Sequence, residues 1–114
     1  MAYNKYKNKK VVVDGIPFDS MKEARRYKEL KLLERGGAIT GLVLQPKFLL
    51  IPTIRREGYK TEEVTHYIAD FAYTEKKTGK EVVEDVKGYK TKVYRLKKKM
   101  FLYKYPQYDF REIL

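Results

Sequence analysis

The segment EVVEDVKG, residues 81–88, constrains this chain more than any other. Val82, Val83 and Val86 favour an extended, buried strand. The same strand carries Glu84, Asp85 and Lys87. Buried charge is costly unless it is paired or bound to a metal. Side chains alternate along a strand, so Asp85 and Lys87 share one face and Glu84 points to the other. A structural Asp–Lys pair and a metal-supported site both satisfy this pattern.

The neighbouring segments supply an α/β context. VVVDGIPF reads as a short strand or hairpin turning at Asp14-Gly15. Ser20-Met21-Lys22-Glu23 has the spacing of a capping box, in which the serine and the glutamate satisfy free amides at a helix start. Ala24, Tyr27, Leu30 and Leu33 continue that helix at three-residue steps, and Gly36-Gly37 ends it. Residues 42–52 are expected as one strand, at an edge or bulge because of Pro46. Residues 53–63 read as a hairpin connection, 65–74 as a second strand and 81–88 as the third. Thr91 is suited to cap a second helix whose apolar face would be Val93, Leu96, Met100 and Tyr103. Pro106 stops it, and QYDFREIL closes the chain as a strand, expected to be parallel through a right-handed crossover.

Composition narrows the chemistry. The 114 residues suit one core, divided as a basic arm at 1–10 and a domain at 11–114. There is no cysteine, which removes disulfides, zinc ribbons and thiol catalysis, and His66 is the only histidine. Lys and Arg number 26 against 15 Asp and Glu, a net charge of +11. Such a surface suits polyanions, because contacts to phosphate release condensed counterions. The basic run continues from Lys87 through Lys90, Lys92, Arg95, Lys97, Lys98 and Lys99, with no acid between Val86 and Tyr108. It reads as a DNA-contacting helix or as a solvated face. Tyr89 and Tyr94 could stack on bases, although Tyr94 could equally pack. No apolar run reaches membrane length and the start lacks an apolar signal core, so no membrane partner is expected and the cytoplasm is the default.

Asp70 lies in the second strand of this reading, and a hairpin would bring it beside Asp85. Carboxylate oxygens of this kind suit hard cations such as Mg2+ or Mn2+. The order helix, three antiparallel strands, helix, strand resembles the common core of PD-(D/E)XK nucleases. Asp70 followed by Asp85-Val86-Lys87 is similar to their catalytic signature. The blocks FDSMKEARRYKELKLLERGGAI, LQPKF, YIADFAY and VVEDVKGYKT resemble a phage-encoded family long catalogued as a domain of unknown function and assigned to that superfamily.

The resemblance implies a restriction-endonuclease-like α/β core, a mixed central sheet flanked by helices. It implies a metal-dependent DNA endonuclease, with catalytic Asp70, Asp85, Lys87 and Glu23. Metal ligands would be Asp70, Asp85, the Val86 carbonyl and Glu23, although a capping role explains Glu23 equally well. DNA contacts would come from Lys90, Lys92, Arg95, Lys97, Lys98, Lys99 and Gln45, although Gln45 could instead serve the irregular backbone near Pro46. Ala69 stands where the signature has Pro. His66 falls nominally on the Asp70 face, where it would be structural, solvated or near the site. Branched DNA, as for junction resolvases, and a homodimer are the expected partners, in the cytoplasm of a phage-infected or lysogenic host. No organic cofactor is expected. The alternatives are a non-catalytic DNA-binding module with this fold and a basic protein-interaction domain.

Overall fold

In the computed structural model, residues 10–87 and 90–114 are described. Most of the expected basic arm, with Lys5, Lys7 and Lys9, and the stacking role for Tyr89 lie outside the described residues.

Asp14 and Gly15 both take positive φ, 53° and 75°. This is the turn geometry that Asp-Gly favours. It joins β1 (Val11–Val13) to β2 (Ile16–Phe18) as an antiparallel pair. The helix α1 (Met21–Arg35) then starts at Ser20, whose hydroxyl accepts the Glu23 N–H at 3.1 Å. Ala24, Tyr27 and Leu30 are buried along α1, but Leu33 is exposed. Three-residue steps fall about 60° short of a full turn, so the stripe rotates off the packed face within three steps.

The two strands expected at 42–52 and 65–74 are each broken in two. They form β3 (Ile39–Leu44) with β4 (Lys47–Ile51), and β5 (Thr65–Ile68) with β6 (Phe71–Glu75). Gln45 adopts a left-handed φ of 51°, and Pro46 has no N–H to offer a ladder. The breaks face each other. Gln45 N–H donates to the Asp70 carbonyl at 2.9 Å, and Ala69 N–H donates to the Pro46 carbonyl at 3.1 Å. Asp70 therefore sits in a bend between strands, not within a continuous strand as the sequence suggests.

The main sheet has the order β3-β6-β7-β8, with β7 at Glu81–Val86 and β8 at Asp109–Ile113. Its first three strands run antiparallel, and β8 is parallel to β7. The connection to β8 carries α2 (Lys92–Lys104), capped by Thr91, whose hydroxyl accepts the Tyr94 N–H at 3.0 Å. Val82 packs with Ala24, Tyr27 and Leu30 of α1, whereas Val83 packs with Tyr94 and Phe101 of α2. Consecutive residues of one strand face opposite ways, so a helix covers each face. The fold is α/β, a mixed sheet flanked by helices. No helix among the described residues is long and apolar enough to cross a membrane.

Of the expected apolar face of α2, Met100 packs against the core and the other three residues do not. Val93, Leu96 and Tyr103 are 64%, 56% and 88% exposed, and the helix buries Tyr94 and Phe101 instead. Those two rings meet an aromatic cluster from the bent hairpin. Phe101 lies 4.8 Å from Phe48 and 5.3 Å from Tyr67, between ring centroids. Two large rings bury more area against such a surface than Val93 and Leu96 would. Tyr94, being buried, is not available to stack on bases.

The orientation of α2 has a direct stability consequence. Phe101→Ala should lower the unfolding free energy by about 3–5 kcal/mol. Leu96→Ala should change it by roughly 0.5 kcal/mol or less. Urea denaturation of the two variants measures both, and the reverse ranking would mean that the helix packs by its other face.

Candidate active site

The bend at Asp70 places its carboxylate against the end of β7. Asp70 N–H donates to the Glu84 carbonyl at 3.1 Å, and the Val86 N–H donates to Asp70 Oδ2 at 2.7 Å. The side chain thus takes the place of a strand carbonyl in the ladder. That contact sets it beside Asp85, the residue before Val86 on the strand, whose charge acts on it.

Asp85 is buried on the α2 face of the sheet. Its Oδ2 accepts the phenol of Tyr67. Its Oδ1 is buried without a hydrogen-bond partner among the described residues, while Lys87 Nζ stands 3.2 Å away as an ion pair outside hydrogen-bond alignment. The Lys87 ammonium also lies 4.6 Å from the centroid of the Tyr94 ring. That ring gives the cation a favourable face and limits where it can swing.

Glu23 approaches from α1, its backbone N–H held by the Ser20 hydroxyl, and lines the same cleft as Asp70. A cleft of about 330 Å3 is lined by Lys10, Asp19, Glu23, Gln45 and Asp70 together with Phe18 and its neighbours. The backbone of Gln45 makes the bend, and the residue lines the cleft. His66, on β5, pairs with Leu49, and the bend ends the strand alternation before Asp70.

Burial, followed by the neighbouring Asp85, pushes the Asp70 carboxyl up to about 8. Burial, followed by Asp19, pushes Glu23 upward as well. A cluster of acids held this way favours any species that supplies positive charge. The donors are all oxygen, which suits a hard cation. Among the described residues, no three His, Cys, Asp or Glu side chains are arranged as a ready cage. Two carboxylates with an uncommitted buried oxygen fit an ion that keeps several of its own waters, as Mg2+ does.

Glu84, the other acid of β7, takes no part in this cluster. It points to the α1 face, where Arg26 binds it in a fork at 2.8 and 2.5 Å and Tyr73 donates to it at 2.5 Å.

The basic run also separates into groups. Lys90, Lys92, Arg95, Lys98 and Lys99 line a groove of about 680 Å3 along α2, with Leu96 and Leu102. Lys97 is not part of that lining. Lys90 and Lys98 stand 3.3 and 3.2 Å from Glu112, which also accepts the Tyr94 phenol at 2.5 Å. Glu112 is the register partner of Asp85 on the adjacent parallel strand. The groove therefore begins one strand away from the acidic cluster.

Tyr67 and Glu112 are the site residues that sequence reasoning missed. β5 does not pair with β7, so no spacing rule connects Tyr67 to Asp85. Glu112 would have followed from the parallel register of β8, once that register was known.

Residues 3–113 match a family described as Protein of unknown function (DUF1064). No curated protein and no solved structure matches the chain.

The raised Asp70 carboxyl has a defined sign in stability. A carboxyl that binds its proton more tightly when folded stabilises the fold below its unfolded value, near 4. That stability is lost as pH rises toward about 8. In metal-free protein, Asp70→Asn should therefore gain thermal stability relative to the unsubstituted chain between pH 5 and pH 8. Melting curves across that range measure the difference, and a constant offset would contradict the burial-driven shift.

Proposed function

We propose, from the premise that the chain belongs to the DUF1064 family, that it is a metal-dependent DNA endonuclease with a PD-(D/E)XK, restriction-endonuclease-like core. The observation that carries this reading is Asp70 held by the Val86 N–H at the end of β7, next to the buried Asp85, with Lys87 Nζ 3.2 Å from Asp85.

In this reading Asp70 and Asp85 hold Mg2+ or Mn2+, with Glu23 at the rim. The Val86 carbonyl is the fourth candidate ligand. The N–H and C=O of one strand residue point to the same side, so it is turned toward Asp70, which receives the Val86 N–H. The bound cation supplies Lewis-acid polarisation of the phosphate and a more acidic water. Lys87 positions the attacking water or meets the charge that develops on the phosphate oxygens. Its contact with the Tyr94 ring holds the ammonium at the mouth of the acidic cluster. Water adds to phosphorus, one P–O ester bond breaks, and the leaving oxygen takes a proton.

The groove of Lys90, Lys92, Arg95, Lys98 and Lys99 supports the substrate assignment. Cations along one helix flank follow a phosphate backbone without reading bases. Gln45 and Lys10 at the cleft add contacts near the cut. Branched DNA cut by a homodimer, in the cytoplasm of a phage-infected host, is the biological setting favoured by analogy with junction resolvases.

A cleavage panel of linear, flapped, forked and four-way DNA with Mg2+ or Mn2+ tests the reading. Asp70→Asn and Asp85→Asn should abolish cutting and leave DNA affinity equal or higher, because phosphate repulsion falls. Lys87→Ala should abolish cutting while metal binding persists. Metal-independent binding with no cleavage of any substrate would identify a DNA-binding module instead. Weak affinity for every DNA at low salt would favour a protein-interaction domain.

Salt dependence tests the groove separately. Lys99→Ala should reduce the slope of log affinity against log salt by about 0.9 on duplex DNA, with similar loss for all sequences. Lys97→Ala, outside the groove, should leave the slope unchanged. Equal effects of both substitutions would remove the groove from the DNA path.

A further inference from the structure

The two oxygens of Asp85 are not equivalent. Oδ2 accepts the Tyr67 phenol, and Oδ1 is buried with no hydrogen bond among the described residues. A phenol has one proton to donate, and here it is committed to Oδ2. The Tyr67 ring is buried and has little freedom to turn. Phe101, Phe110 and Tyr94 surround it with centroids at 5.3, 6.3 and 6.4 Å. Tyr67 belongs to β5, outside the main sheet, and reaches Asp85 only because the hairpin bends at Gln45 and Asp70.

We infer that Tyr67 is a specificity-determining positioning residue, which restricts Asp85 to one free oxygen and so selects small octahedral cations over Ca2+. This rests on the cation reading of Asp70 and Asp85 given above. Ca2+ gathers six to eight oxygens and readily takes both oxygens of one carboxylate, whereas Mg2+ and Mn2+ suit octahedral sites. With Oδ2 occupied by the phenol, Asp85 offers one ligand atom. Lys87, 3.2 Å from Oδ1, is the group that a cation must displace or share. Its ammonium is held by one ion pair and the Tyr94 ring face, so it can give up Oδ1 while staying over the ring.

Tyr67→Phe removes the donor and keeps the ring. Calorimetric titration with MnCl2 and with CaCl2, without DNA, reads the effect directly. The ratio of Ca2+ to Mn2+ affinity should rise about ten-fold in this variant, the scale on which groups that orient a metal ligand act. Asp85→Asn should lose Mn2+ binding. If Asp85→Asn binds less Mn2+ while Tyr67→Phe keeps the original ratio, the cation site stands and the role of Tyr67 is overturned. If Asp85→Asn binds Mn2+ as the unsubstituted chain does, the cation reading falls, and the assignment of Tyr67 falls with it.

Should Tyr67→Phe not fold, the unsubstituted chain answers the same question. In the Mg2+-saturated protein the Tyr67 hydroxyl proton should remain protected from exchange by NMR. Its loss on adding Mg2+ would mean that the cation takes both Asp85 oxygens, and would overturn the inference.

Discussion

Two adjacent carboxylates, Glu84 and Asp85, are buried on one central strand, and the rest of the structure answers to them. Because neighbours on a strand face opposite ways, no single partner can serve both. Glu84 is neutralised by the fork of Arg26 and by Tyr73, which ties α1 to its face of the sheet. The burial leaves little tolerance for error, since a buried charge that loses its partner is strongly destabilising. Asp85 is treated differently. It receives a phenol on one oxygen and only an unaligned ammonium on the other. One acid is structural and satisfied, and its neighbour is left partly uncommitted.

The bend in the hairpin makes this division possible. A straight β5–β6 strand would have carried Asp70 as an ordinary alternating residue. The left-handed Gln45, the missing N–H of Pro46 and the two crossing backbone bonds at Ala69 and Asp70 break both strands at one level. The Asp70 carboxylate is thereby free to take the Val86 N–H and approach Asp85. The same bend turns β4 and β5 over α2, where Phe48 and Tyr67 meet Phe101. The acidic cluster and the aromatic core beneath it thus share one cause.

The second helix shows how packing divides a basic segment. Tyr94 and Phe101 face inward, and the groove of Lys90, Lys92, Arg95, Lys98 and Lys99 occupies a flank. Glu112 links that flank to the sheet through Lys90, Lys98 and Tyr94. Because Glu112 stands in register with Asp85, the cations are held close to the acids without neutralising them directly.

The sequence by itself determined the element order, both helix starts and the Asp14-Gly15 turn. These depend on local chemistry: a hydroxyl reaching an amide three residues on, or a backbone that tolerates positive φ. It also placed Asp85 and Lys87 on one face, because a two-residue period needs no tertiary information. The tertiary structure decided the rest. The breaks at Gln45-Pro46 and Ala69-Asp70 arise from facing strands that fail together. The burial of Tyr94 and Phe101 over Val93, Leu96 and Tyr103 depends on which surface the hairpin presents. The contact between Tyr67 and Asp85 crosses between strands that never pair. Each is a choice among partners distant in the chain, and no local spacing encodes which partner is near.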